Sequence, residues 1–89
     1  MAYRAGDEEE TMSVQAYVLI QTEVGKAAEV AVAISRIDGV TQAEDVTGPY
    51  DVIVRAEGPS VDELGALVVS QIQQVPGIVR TLTCPIVRI

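Results

Sequence analysis

The sequence predicts an α+β domain of the ferredoxin-like, split-βαβ kind, and three observations predict it. Four segments read as strands, and two others carry apolar stripes in steps of three and four. Their order is β-α-β-β-α-β. The two halves also echo each other: "ISRIDGV" (Ile34–Val40) matches "IQQVPGI" (Ile72–Ile78) at an offset of 38 residues. The same offset pairs Val14, Ala16 and Val18 with Val52, Val54 and Ala56. Two βαβ units of equal size make this plan. Right-handed crossovers then place both helices on one face of a four-stranded antiparallel sheet.

Each element has its own local reason. "VQAYVLIQ" (Val14–Gln21) alternates, with Val14, Ala16, Val18 and Ile20 on one face and Gln15, Tyr17, Leu19 and Gln21 on the other. In "GKAAEVAVAISRI", Ala27, Val30, Ala31, Ile34 and Ile37 form one helical stripe. Asp38-Gly39 stops that helix, because glycine enters the left-handed conformation cheaply. "VTQAEDV" (Val40–Val46) is a shorter, more polar strand suited to a position near an edge, Gly48-Pro49 turns the chain, and "DVIVRAE" (Asp51–Glu57) is a third strand.

Gly58-Pro59 breaks the chain again. "SVDE" then reads as a capping box, with Ser60 accepting from the helix N–H groups and Glu63 reaching back. Val61, Leu64, Val68, Ile72 and Val75 form the stripe of the second helix, and Pro76-Gly77 ends it. "IVRTLTCPIVRI" is the last strand, where Pro85 requires an edge or a bulge.

Helices cover one sheet face only. The other presents Tyr17, Leu19 and Ile53, a mixed surface larger than monomers usually expose. The expected cover is a second copy, packed sheet to sheet as a dimeric α/β barrel and burying about 800 Å² per subunit.

Composition narrows the function. The chain has 89 residues, 48% of them apolar, with three tyrosines and neither Phe nor Trp. One domain with an aliphatic core follows. Residues 1–13 are polar, acidic and aperiodic, and read as a disordered tail before a domain spanning 14–89. Either Met1 or Met12 serves as a start. Neither a signal peptide nor a membrane span is visible, and the single cysteine fits a reducing compartment, so the expected location is the cytoplasm. The net charge is −7, with no basic stripe, which argues against direct nucleic-acid binding.

Catalytic chemistry is sparse. There is no histidine, and one cysteine makes no zinc site. No cofactor is expected. Cys84 reads as a small buried hydrophobe. Glu44 and Asp45, being adjacent on a strand, point to opposite faces and form no dyad.

Three places suit binding. Gly48 permits a positive φ or a close approach. Asp51 offers a carboxylate to an amine, and Tyr50 offers its ring or hydroxyl; the alternative is a plain hairpin with a packed Tyr. Thr81 and Thr83, two residues apart, put two hydroxyls on one strand face, although Thr is also simply a good strand former. The N–H groups near Ser60–Asp62 suit a carboxylate, in competition with Ser60 and Asp62 themselves.

Taken together, "GVTQAEDVTGPYDVIVRAE", "SVDELGALVV" and "VPGIVRTLTCPIV" resemble the effector domain (RAM) of the leucine-responsive/asparagine-regulator (Lrp/AsnC) transcription factors, from about Val14 to Ile89. The resemblance implies sheet-packed homodimers, higher rings of the octamer kind, and a free amino acid bound in clefts between dimers. It implies effector contacts at Gly48, Tyr50 and Asp51, with Thr81 and Thr83 similarly placed. Pro49 stands where that family more often has a polar residue, which stiffens the loop. The helix-turn-helix half is missing from these residues, so control of transcription is expected to act through partners such as full-length Lrp/AsnC regulators. Competing readings are the ACT domain, whose cleft would use Gly25, a dimeric α/β-barrel enzyme such as a small monooxygenase, and a ligand-free scaffold.

Overall fold

A computed structural model describes residues 13–87. The reading of residues 1–13 as a tail therefore lies outside the described residues, except at Ser13. The elements are β1 (Val14–Thr22), α1 (Ala27–Ser35), β2 (Val40–Asp45), β3 (Val52–Gly58), α2 (Val61–Leu67) running on into a π-helical turn (Val68–Ile72), and β4 (Ile78–Pro85). They form one antiparallel sheet in the order β2-β3-β1-β4, with the helices on one side. This is the ferredoxin-like βαββαβ fold. The polar strand β2 lies at an edge, as its composition predicts. So does β4, which accommodates Pro85. Ile86 N–H donates to the Gln15 carbonyl at 2.8 Å, so by alternation the nitrogen of Pro85 faces away from β1.

The core is aliphatic. Ala16, Val18 and Ile20 of β1 and Val52, Val54 and Ala56 of β3 are fully buried beneath Val30 and Ile34 of α1 and Leu64 and Ile72 of the second helix. No polar or charged side chain is buried among the described residues. The predicted stripes hold with one correction. Val61 is 55% exposed, because it occupies the first turn of α2, before the helix axis reaches the sheet. Ser60 does cap that turn, accepting from Glu63 N–H at 3.1 Å. Leu64 and Ile72 would sit about 80° apart on an unbroken α-helix. The wider π turn, closed by Gln73 N–H to the Val68 carbonyl at 2.8 Å, reduces that drift and keeps both residues over the sheet.

The internal repeat is structural as well as sequential. Arg36 N–H donates to Ala33, and Gln74 N–H to Gln71, both at 3.3 Å. Ile37 donates to Ile34 at 3.0 Å and Val75 to Ile72 at 3.1 Å. Gly39 and Gly77 then take φ values of 97° and 99°. Each closes onto the other half: the Gly39 carbonyl accepts from Glu57, and the Gly77 carbonyl from Glu23, both at 2.8 Å. A Cβ on Gly39 would lie 3.1 Å from Leu67 Cδ2 and 3.3 Å from the Glu57 carbonyl oxygen. Gly39→Ala is therefore expected to lower stability by about 1–2 kcal/mol, read from a urea denaturation midpoint.

The opposite sheet face is open. The register aligns Glu44, Ile53, Leu19 and Leu82 in one row, and Gln42, Arg55, Tyr17 and Cys84 in the next. Ile53 is 37% exposed, Tyr17 40% and Leu82 43%. Arg55 lies over the Tyr17 ring at 5.5 Å and donates to Gln15 Oε1 at 2.7 Å. Cys84 corrects the sequence reading: it is half-buried beside Tyr17 on this face and does not belong to the core, because it pairs across from an outward residue of β1.

Candidate functional site

Three connections gather at one end of the sheet: the β1–α1 loop, the β2–β3 loop and the α2–β4 loop. The β2–β3 loop carries Gly48-Pro49-Tyr50-Asp51. Gly48 has φ 145° with open space where a Cβ would be, so close approach from outside is unobstructed. Gln21 Nε2 donates to the Pro49 carbonyl at 3.1 Å, which ties the loop to β1. Tyr50 is half-buried.

Asp51 already has a structural role. Its Oδ2 accepts the Thr22 N–H at 2.8 Å, and its own N–H donates to the Ile20 carbonyl at 2.8 Å. The β1–β3 ladder ends at the Ile20–Val52 pair, two residues before Thr22, so the carboxylate replaces a missing ladder acceptor. A charged acceptor makes this bond stronger than a neutral one. One carboxylate oxygen is thereby committed to holding the exit of β1, and the other has no hydrogen-bond partner among the described residues.

Thr81 sits across β1 from this loop, paired with Ile20, and Thr83 pairs with Val18. They share the helix-side face, as their spacing predicts, but Thr83 is set back by about 7 Å along the strand. Thr81 Oγ1 accepts from Gln73 Nε2 at 2.8 Å. Gln73, Ile78, Val79, Arg80 and Thr81 line a cleft of about 280 Å³ at the outer edge of β4. The Arg80 side chain has no hydrogen-bond or ion-pair partner among the described residues. Sequence reasoning missed Gln73, which sits in no motif and faces Thr81 only through the π turn.

Gly25, the glycine of the competing ACT-type cleft, belongs to this same end of the sheet, so the two candidate clefts adjoin. Ser60–Asp62 does not join them, because α2 starts where β3 ends, at the far end. There, the Ser60 hydroxyl accepts the Glu63 N–H and its carbonyl accepts the Leu64 N–H. Glu44 pairs with Ile53 and Asp45 with Val52, on opposite faces. No group of His, Cys, Asp and Glu among the described residues is arranged to hold a metal ion. Among the same residues, no helix is long and apolar enough to cross a membrane.

Comparison with known proteins agrees with this architecture. A family model for the Lrp/AsnC ligand binding domain matches residues 15–89. The HTH-type transcriptional regulator FL11 of Pyrococcus abyssi is 31% identical over 71 residues, covering 80% of this chain and 46% of that protein. The chain spans less than half the length of the curated relatives it matches. The crystal structure of TTHA0845 from Thermus thermophilus superposes with a TM-score of 0.79 at 30% identity, covering 85% of this chain and 95% of that one. The L-Met complex of the regulator NMB0573 from Neisseria meningitidis gives a TM-score of 0.78 at 16% identity, covering 99% and 58%, a likeness of fold alone. Matched along nearly its whole length and folded in the same way, this chain belongs to the Lrp/AsnC family through its ligand-binding domain.

Proposed function

We propose that this domain is an amino-acid-binding, oligomerising module that modulates transcription of amino-acid metabolism in the cytoplasm through partners, including full-length Lrp/AsnC regulators. The observation that carries this reading is the division of the candidate site. Asp51 and Thr81 flank the same residue, Ile20, from opposite sides. Two strand spacings therefore separate them, about 9–10 Å. The ammonium and carboxylate of one amino acid are attached to a single carbon and do not bridge that gap. A zwitterion using both groups needs one from each of two copies, so binding and assembly are linked.

Charge supports the same arrangement. Among the described residues the open sheet face balances Arg55 and Arg80 against Glu44 and Glu57, and all other charges sum to −5. A balanced face with an apolar middle suits a self-complementary two-fold contact. The remaining acidic surface opposes phosphate, which leaves DNA contact to partners. The comparisons point to regulators rather than enzymes, and no catalytic residue is assigned.

Isothermal titration with each of the twenty amino acids at millimolar concentration tests the proposal. Heat from at least one, with a change in sedimentation on its addition, is expected; no heat from any overturns it in favour of a scaffold. Asp51→Asn keeps an acceptor for Thr22 N–H but removes the charge. It is expected to weaken binding by about 1.5–3 kcal/mol and, through the weaker bond to Thr22, to lower the melting temperature by only a few degrees. Unchanged affinity would move the ammonium site elsewhere.

A further inference from the structure

We infer that Gln73 sets the hydrogen-bond polarity of Thr81 and so makes the β4 cleft selective for a carboxylate, the α-carboxylate of the ligand; this rests on the amino-acid reading above. Gln73 donates through Nε2 to Thr81 Oγ1 at 2.8 Å. A hydroxyl that accepts this bond keeps its proton to give, so Thr81 faces the cleft as a donor. Arg80 borders the same cleft, but it pairs with Gln21 and its side chain belongs to the open sheet face, opposite that of Thr81. The oriented hydroxyl and a second amide N–H on Gln73 make the helix-side wall of the cleft a donor surface, which suits an anion.

The internal repeat provides a control. At the offset of 38 residues, Gln73 and Thr81 correspond to Ser35 and Ala43 on the β2 edge. Ser35 Oγ donates to the Val32 carbonyl on its own helix at 2.6 Å, and Ala43 has no hydroxyl. The same backbone thus stands without the pair, so folding does not require it. The repeat also lacks the π turn: α1 is a plain helix, whereas the second helix widens at Val68–Ile72, immediately before Gln73. Wide turns of this kind occur often at functional sites.

Gln73→Glu and Gln73→Met test the role by titration with the twenty amino acids and, for the one that wild type binds most tightly, with its α-carboxamide. The ionised side chain of Gln73→Glu only accepts, so the Thr81 proton turns toward it and a carboxylate stands beside the ligand's own. Wild type is expected to prefer the amino acid to its carboxamide by about tenfold or more. Gln73→Met, which leaves the Thr81 hydroxyl free to turn, should weaken that preference while binding a few-fold more weakly, and Gln73→Glu should abolish or invert it. A Gln73→Glu variant that retains the wild-type preference overturns the inference alone. Wild type binding none of the twenty overturns the amino-acid reading and this inference with it. Gln73 is exposed, so melting temperatures of both variants should stay close to wild type.

Discussion

Ile34→Ala is expected to destabilise the domain by about 2–5 kcal/mol, measured by urea denaturation. Ile34 is fully buried in the cluster formed by Val18, Ile20, Val30, Val52, Val54, Val68 and Ile72. The core has no aromatic residue to shift into the space, and its β-branched side chains on two central strands are stiff. The cavity would therefore relax little. About 75 ordered residues supply only roughly 4–11 kcal/mol in total, so the loss is a large share of it. Val32 supplies the comparison. It lies on the same helix at 51% exposure, and Val32→Ala should change stability by less than about 0.5 kcal/mol. Equal effects at the two positions would contradict the assigned helix face.

Leu19→Asp is expected to convert the proposed sheet-packed dimer to monomers at micromolar concentration while leaving the circular dichroism spectrum of the domain intact. Leu19 sits in the middle of the open face between Ile53 and Leu82. In a single copy an aspartate there remains hydrated at little cost. In a two-fold dimer each copy buries one, and an unpaired buried charge costs about 3–5 kcal/mol. Two such charges weaken association beyond the micromolar range. Sedimentation velocity of wild type and variant reads this directly. A variant that sediments as wild type does would place the contact between copies on another surface.

The candidate residues Gly48, Tyr50 and Asp51 of the loop and Thr81 and Thr83 of β4 are named from the sequence by residue type and by position in the βαββαβ order. Their working relations are not. Asp51 meets Thr22 N–H from 29 residues away, and Thr81 meets Gln73 across the end of a helix. Such meetings depend on strand register and helix phase, which no local spacing encodes. The π turn arises because Leu64 and Ile72 must both reach the sheet, and the outward turn of Val61 depends on where the helix axis meets it.

By itself, the sequence determined the alternation and stripes that build two matched βαβ halves, the two left-handed glycines that close them, and an apolar sheet face left uncovered. These are short-range consequences of side-chain periodicity and backbone conformation. Only the tertiary structure decided that the candidate residues Asp51 and Thr81 lie on opposite sides of β1, that one Asp51 oxygen is committed to the fold, and that Gln73 donates to Thr81. Each is a contact between segments distant in the chain, selected by the packing of the whole layer.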